Sequence, residues 1–160
     1  HVFGDVQAEN EEDVLKNWQS IKQEEKGEKQ EFIMDSIPKS FPNLMRAAEI
    51  QKKAAKVGFD WKEVEPAWEK VKEEISEFES EARAGSSQME AEFGDILFAL
   101  VNIARFYKID AEEATRKTNE KFIRRFSFVE ERVKMSGRSF EDFTLEQLDD
   151  FWNEAKAKGY

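Results

Sequence analysis

The 160-residue sequence has no cysteine, which excludes disulfides and thiolate metal ligands and is compatible with a reducing compartment. It has one histidine, His1. Glu-x-x-His pairs of the kind that hold di-iron centres in ferritin-type bundles are therefore ruled out, and any metal site must be built from oxygen donors. Cations are in deficit, with 25 Lys and Arg against 35 Asp and Glu and a formal net charge of −10. Such a field repels a polyanion, so no nucleic-acid partner is expected, and an anionic ligand would need a local basic patch. Apolar runs are short. None approaches the roughly 20 residues that span a bilayer, and there is no signal-peptide pattern, so a soluble, cytoplasmic protein without a membrane partner is expected. His1 stands where an initiating Met would, which hints at a fragment or a processed chain.

Three prolines and seven glycines leave long stretches uninterrupted, and no alternation of β-branched and polar residues persists, so helices are expected almost throughout. Apolar residues at 39%, including 14 Phe, can supply one domain with a core. A first helix is predicted from about Glu11 to Lys26, capped by Asn10 and ended by Gly27. "EKGEKQEFIMDSIPKSFPN" has mixed charge with Pro38 and Pro42 and reads as a linker. A helix over Asn43 to Lys56 stops at Gly58. Asp60 with Glu63 is expected to cap "WKEVEPAWEKVKEEISEFESEARAG", with Pro66 kinking or dividing it and Gly85 closing it. Ser87 with Glu90, Asp110 with Glu113 and Thr144 with Gln147 then open three more helices, the last ending near Gly159. The fold class expected is all-α, a four-helix-type bundle.

The chemistry starts from "EAEFGDILFALVNIARF", residues 90–106. At about 100° per residue, nearly every position from Phe93 onward is apolar, yet Glu92, Asp95 and Asn102 fall within about 80° of one another. Carboxylates among Phe, Ile and Leu lose hydration and stay ionised only if a cation, donors or a metal replace the water. The preceding helix carries "KEEISEFESEA", where Glu74 and Glu77 flank an apolar face of Val71, Ile75, Phe78 and Ala82, and Glu73 lies one turn before Glu77. Taken alone, this pattern in so acidic a chain reads as a solvated face. The two pairs together change the reading. Consecutive helices joined by a short turn pack antiparallel, so Glu74, Glu77, Glu92 and Asp95 can converge across one interface. The simplest compensation is a hard divalent cation, Mg²⁺ or Mn²⁺ rather than Zn²⁺. "TNEKFIRRF" then supplies Lys121, Arg124 and Arg125, with Phe122 and Phe126 on the adjoining face. Alone it is a salt-bridged surface; beside the carboxylates it is a candidate phosphate grip.

The order EExxE, ExxD, "NEKFIRRF", together with "GFDWKEVEPAWEKVKEEISE" and "GDILFALVNIAR", resembles the MazG family of all-α nucleoside triphosphate pyrophosphohydrolases over about residues 41 to 158. The resemblance implies Mg²⁺-dependent hydrolysis of a nucleoside triphosphate between the α and β phosphates, and a helical bundle completed by homodimerisation. Carried over by position, Glu74, Glu77, Glu92 and Asp95 match metal carboxylates. Glu73, with Glu77 as the alternative, matches the group that would orient or deprotonate the attacking water. Lys121, Arg124 and Arg125 match the phosphate-facing motif. Asn102 could hydrogen-bond a sugar or base, its alternative being a satisfied core amide. Trp152 and Lys156 resemble the family's C-terminal segment, where Trp152 would stack on the base or else simply pack. Phe59 and Trp61 are read as packing the turn before the third helix, with aromatic walls near the nucleotide as the alternative. Residues 1–27 resemble the tail of an upstream module without its carboxylate helices, 28–41 a linker, and 42–160 the catalytic helical domain. A non-catalytic helical dimerisation or regulatory module is the alternative from another class, and a narrow pyrimidine-specific dUTPase or dCTPase is the alternative on the same scaffold.

Overall fold

The computed structural model describes residues 32–160; the helix expected over residues 11–26 lies outside them. Among the described residues there are five α-helices, two short 3-10 turns and no strand, in agreement with the all-α expectation. The helices are α1 (Asn43–Lys56), α2 (Glu65–Ala84), α3 (Met89–Phe106), α4 (Ala111–Met135) and α5 (Leu145–Ala157). A 3-10 turn, Ile33–Ser36, falls within the stretch read as a linker, and a second, Phe140–Asp142, separates α4 from α5.

Two of the predicted starts are made as the local sequence dictates. Asp110 accepts from the Glu113 amide at 3.0 Å, and Thr144 exchanges hydrogen bonds with Gln147 in a capping box. Two other starts differ from expectation. Asp60 caps nothing: α2 begins only at Glu65, and Pro66 sits in its first turn, where a missing N–H costs nothing, so the helix is not kinked there. Likewise α3 begins after Gln88 rather than Ser87, and it is Ser86 whose hydroxyl accepts from the Gln88 amide. α5 ends at Ala157, two residues before the predicted Gly159. Gly85 closes α2 in the left-handed conformation (φ 62°), turning the chain back so that α3 can pack on α2.

α2 and α3 form the principal helix pair, α1 lies against α3, and α4 pairs with α5. The α2–α3 core is Ala67, Val71, Ala99 and Ile103, with Val64 and Phe106 against it. The small residues Ala67 and Ala99 let the two backbones approach. In the second pair Val129, Val133 and Ala155 are buried, and Arg132 of α4 is ion-paired with Glu154 of α5. The core is thin: among the described residues, no large side chain is fully buried. Phe93, Leu97 and Leu100 instead form an exposed stripe along α3, each more than two-fifths accessible.

Candidate metal and nucleotide site

Glu74 lies three residues beyond buried Val71 on the same face of α2, so packing on α3 carries its carboxylate inside, where it is only 5% exposed. Half-buried Glu92 meets it from α3, and Glu77 closes the group from the solvent side. Carboxylate oxygens of Glu74, Glu77 and Glu92 lie within 4.8 Å of one another. Beside them the rings of Phe78 and Phe93 meet edge to face, with centroids 5.4 Å apart, joining the two helices next to the cluster.

The protein supplies only part of the compensating charge. Lys70, one turn before Glu74, places Nζ 2.8 Å from Oε1. Oε2 of Glu74 and Oε2 of Glu92 are buried with no hydrogen-bond partner among the described residues. The negative charge of Glu74, then loss of hydration, then the charges of Glu92 and Glu73 raise the Glu77 carboxyl above its ordinary value. Orphaned oxygens on an all-carboxylate set fit a hard divalent cation, held by Glu74, Glu77 and Glu92.

The structure distributes the other sequence candidates unevenly. Asp95 lies outside this triad, but with Glu74 it lines a cavity of about 690 Å³ between α1, α2 and α3. Glu73 is exposed and 3.4 Å from Lys70. Asn102 lines the same cavity. Its Oδ1 accepts from Arg105 Nε at 2.9 Å, while the guanidinium forks onto Asp60 at 2.6 and 3.1 Å. Lys121 and Arg124 are exposed and border a shallow recess on α4. Arg125 donates to the Tyr160 carbonyl at 2.7 Å and lies 5.6 Å over the Trp152 ring, which itself packs 5.1 Å from Phe122. Lys156 is exposed on α5. Because α4 packs mainly on α5 and meets α3 only marginally, the chain does not by itself gather its basic helix around the carboxylates.

Sequence reading missed several members of this region. Phe59 and Trp61, by contrast, take up the alternative reading given to them: Phe59 is 84% exposed, and both line the cavity. Gln51, Asp60 and Arg105 also line it. Only the aromatics carried a signal, as two large rings in a short segment between helices.

A carboxylate cluster on two consecutive helices thus lies beside a cavity with aromatic walls, and residues 62–129 match the model of the MazG nucleotide pyrophosphohydrolase domain. This chain carries the matched segment in α2, α3 and most of α4. It is 46% identical over 160 residues to the nucleoside triphosphate pyrophosphohydrolase of Escherichia coli (strain K12), covering 98% of this chain and 61% of that protein. It is 41% identical over 156 residues to the nucleoside triphosphate pyrophosphohydrolase/pyrophosphatase MazG of Thermotoga maritima, covering 98% of this chain and 59% of the relative. An uncharacterized protein of Bacillus subtilis, YabN, is 55% identical over 159 residues, which make up 32% of its length. The chain thus spans about three fifths or less of the length of these relatives.

Proposed function

We propose that this chain hydrolyses nucleoside triphosphates to nucleoside monophosphate and pyrophosphate. The observation that carries the reading is the convergence of Glu74, Glu77 and Glu92, with two buried oxygens left unpaired. Glu74, Glu77 and Glu92, with Asp95 one turn along α3, would hold Mg²⁺, or Mn²⁺ in its place. The bound ion supplies charge neutralisation on the phosphates and acidifies a water. Of the two candidate bases Glu77 is the better placed, because it belongs to the triad, whereas Glu73 stands outside it. It would take the proton of the water as the bond to pyrophosphate breaks. Lys121 and Arg124, free of the contacts that occupy Arg125, would hold the pyrophosphate; Asn102 would bind the nucleoside. In this reading Trp152 and Lys156 serve the nucleotide from the α4–α5 pair.

The same reading makes the working form a homodimer. The exposed Phe93, Leu97 and Leu100 stripe asks for a cover, and a second copy would also bring a basic helix toward carboxylates that its own chain leaves apart. The proposed compartment is the cytoplasm, where nucleotides and Mg²⁺ occur together.

The test is pyrophosphate release from a panel of ribo- and deoxynucleoside triphosphates, with and without Mg²⁺, by wild type beside Glu74→Gln and Asp95→Ala. Metal-dependent release that disappears in the variants is expected. No release by a folded wild-type protein that binds Mg²⁺ would replace the enzyme with the regulatory module.

A further inference from the structure

Two amides in the cavity have their orientation set by what they touch. Gln51 is 7% exposed, and its Nε2 donates to the backbone carbonyl of Phe98 at 2.9 Å. A carbonyl only accepts, so the nitrogen must face it and Oε1 is the atom left over. That oxygen is buried and has no hydrogen-bond partner among the described residues. Asn102 is fixed in the opposite sense. Arg105 Nε only donates, so Oδ1 faces it at 2.9 Å and Nδ2 is the atom left for a ligand. Phe98 and Asn102 are one helical turn apart on α3, which puts the two amides on neighbouring levels of one wall. Phe59 and Trp61 stand on the same cavity with their rings exposed, and Glu74 and Asp95 form its acidic side.

A ligand that fits must therefore offer a donor to Gln51, an acceptor to Asn102, a flat face to the aromatic rings, and a group that reaches the metal carboxylates. We propose that the cavity is the nucleoside subsite and that Gln51 is a binding residue within it. Its Oε1 accepts from an N–H or O–H of the nucleoside while Asn102 Nδ2 donates to a carbonyl or ring acceptor. This rests on the reading of Glu74, Glu77 and Glu92 as the metal and phosphate end. It adds a residue on α1 and a reason that the nucleoside, rather than the polyphosphate alone, is recognised. A buried acceptor left without a donor is penalised, so ligands lacking one in this position are selected against.

Calorimetric titration with dUMP, dCMP, dAMP and dGMP in the presence of Mg²⁺ tests this without requiring turnover, with inorganic pyrophosphate and ribose 5-phosphate as controls. Gln51→Leu is expected to weaken the best monophosphate about tenfold or more and to leave pyrophosphate unchanged. Asn102→Asp, which keeps the Arg105 contact but removes the donor, is expected to do the same and serves if Gln51→Leu fails to fold. A loss shared with ribose 5-phosphate assigns the donor to a sugar hydroxyl; a loss confined to the monophosphates assigns it to the base. Either outcome supports the subsite. Wild-type affinity for the monophosphates in a folded variant, or equal weakening of pyrophosphate, overturns it. If wild type hydrolyses nothing yet binds a monophosphate through Gln51, the subsite stands and the enzyme reading falls.

Discussion

Arg105 of α3 grips Asp60 across 45 positions of sequence, with Nη2 2.6 Å from Oδ1 and Nη1 3.1 Å from Oδ2. Its remaining Nε–H holds Asn102. One guanidinium thus fastens the segment between α1 and α2, which carries Phe59 and Trp61, to the helix that carries Asn102. Both side chains are at least three-quarters shielded, at 16% and 25% exposure, so water does not fully replace the contact when it is lost. Asp60→Asn is expected to lower unfolding stability by about 1–3 kcal/mol and to raise KM for nucleotides more than it lowers kcat. Arg105→Lys is expected to restore little, because an ammonium cannot make the fork. A double-mutant cycle of thermal or urea unfolding, with steady-state kinetics, checks both. A coupling energy near zero would show that the fork does not fasten the segment.

Lys70 is the internal counter-ion of the cluster. Its Nζ lies 2.8 Å from Glu74 and 3.4 Å from Glu73, and the Glu74 hydrogen bond raises its pKa above the ordinary lysine value. The folded-state pKa is raised, so this contribution to stability is fully present below the ordinary lysine pKa and is lost as pH rises through the higher folded value. A divalent cation and Lys70 compete for the same carboxylate. Lys70→Met is expected to lower the metal-free Tm and to tighten Mg²⁺ binding several-fold, on the order of 1 kcal/mol or less because Lys70 is partly solvated. Calorimetric Mg²⁺ titration of the variant beside wild type decides it; weaker metal binding would mean that Lys70 organises Glu74 rather than competing for it.

Glu77 gives the cluster a pH signature of the opposite kind. Its carboxyl is raised, first by the charge of Glu74, so the folded state holds this proton more tightly than the unfolded one. Ionised Glu77 therefore opposes folding. The penalty is absent below the ordinary glutamate pKa and grows as pH rises through the raised folded value. Glu77→Gln is expected to raise the metal-free Tm at pH 7 to 8, to leave it unchanged near pH 3.5 where both forms are neutral, and to abolish the stabilisation that Mg²⁺ gives the wild type. Scanning calorimetry across that range, with and without Mg²⁺, is the measurement. An unchanged Mg²⁺ response in the variant would remove Glu77 from the metal set.

What the sequence made legible was local. Asp110 and Thr144 were readable as caps because each cap spans three residues, and the meeting of Glu74 and Glu92 followed from two adjoining amphipathic helices with a glycine between them. Gln51 was not readable. It sits among Lys and Ala in "EIQKKAAK", and what buries it is a backbone carbonyl 47 positions away. Asp60 has the chemistry of a cap and lies close before a helix, but beside the adjacent Trp61 amide its carboxylate takes two charged donors from Arg105, 45 residues on, rather than the amides of a helix start. Arg125 reads in "FIRRF" as part of a phosphate grip or a salt-bridged surface, and nothing local shows that the return of α5 brings the Tyr160 carbonyl to it.

Leu97 tests whether one copy of the chain is sufficient. Phe93, Leu97 and Leu100 repeat at helical spacing on α3 and are 49%, 41% and 43% exposed; burying such side chains in a second copy contributes about 1.5–3 kcal/mol each. Phe93 also braces Phe78, so Leu97 is the position that can be altered with least effect on the α2–α3 pair. Leu97→Arg would place a charge in the centre of the stripe, where a symmetric interface brings it near its own copy. The variant is expected to sediment as a monomer where wild type sediments as a dimer, and to lose at least tenfold in kcat/KM while retaining its helical circular dichroism. If Leu97→Arg remains dimeric and active, the partner surface lies elsewhere. If wild type is itself an active monomer, the acidic and basic helices must meet within one chain by a movement of the α4–α5 pair.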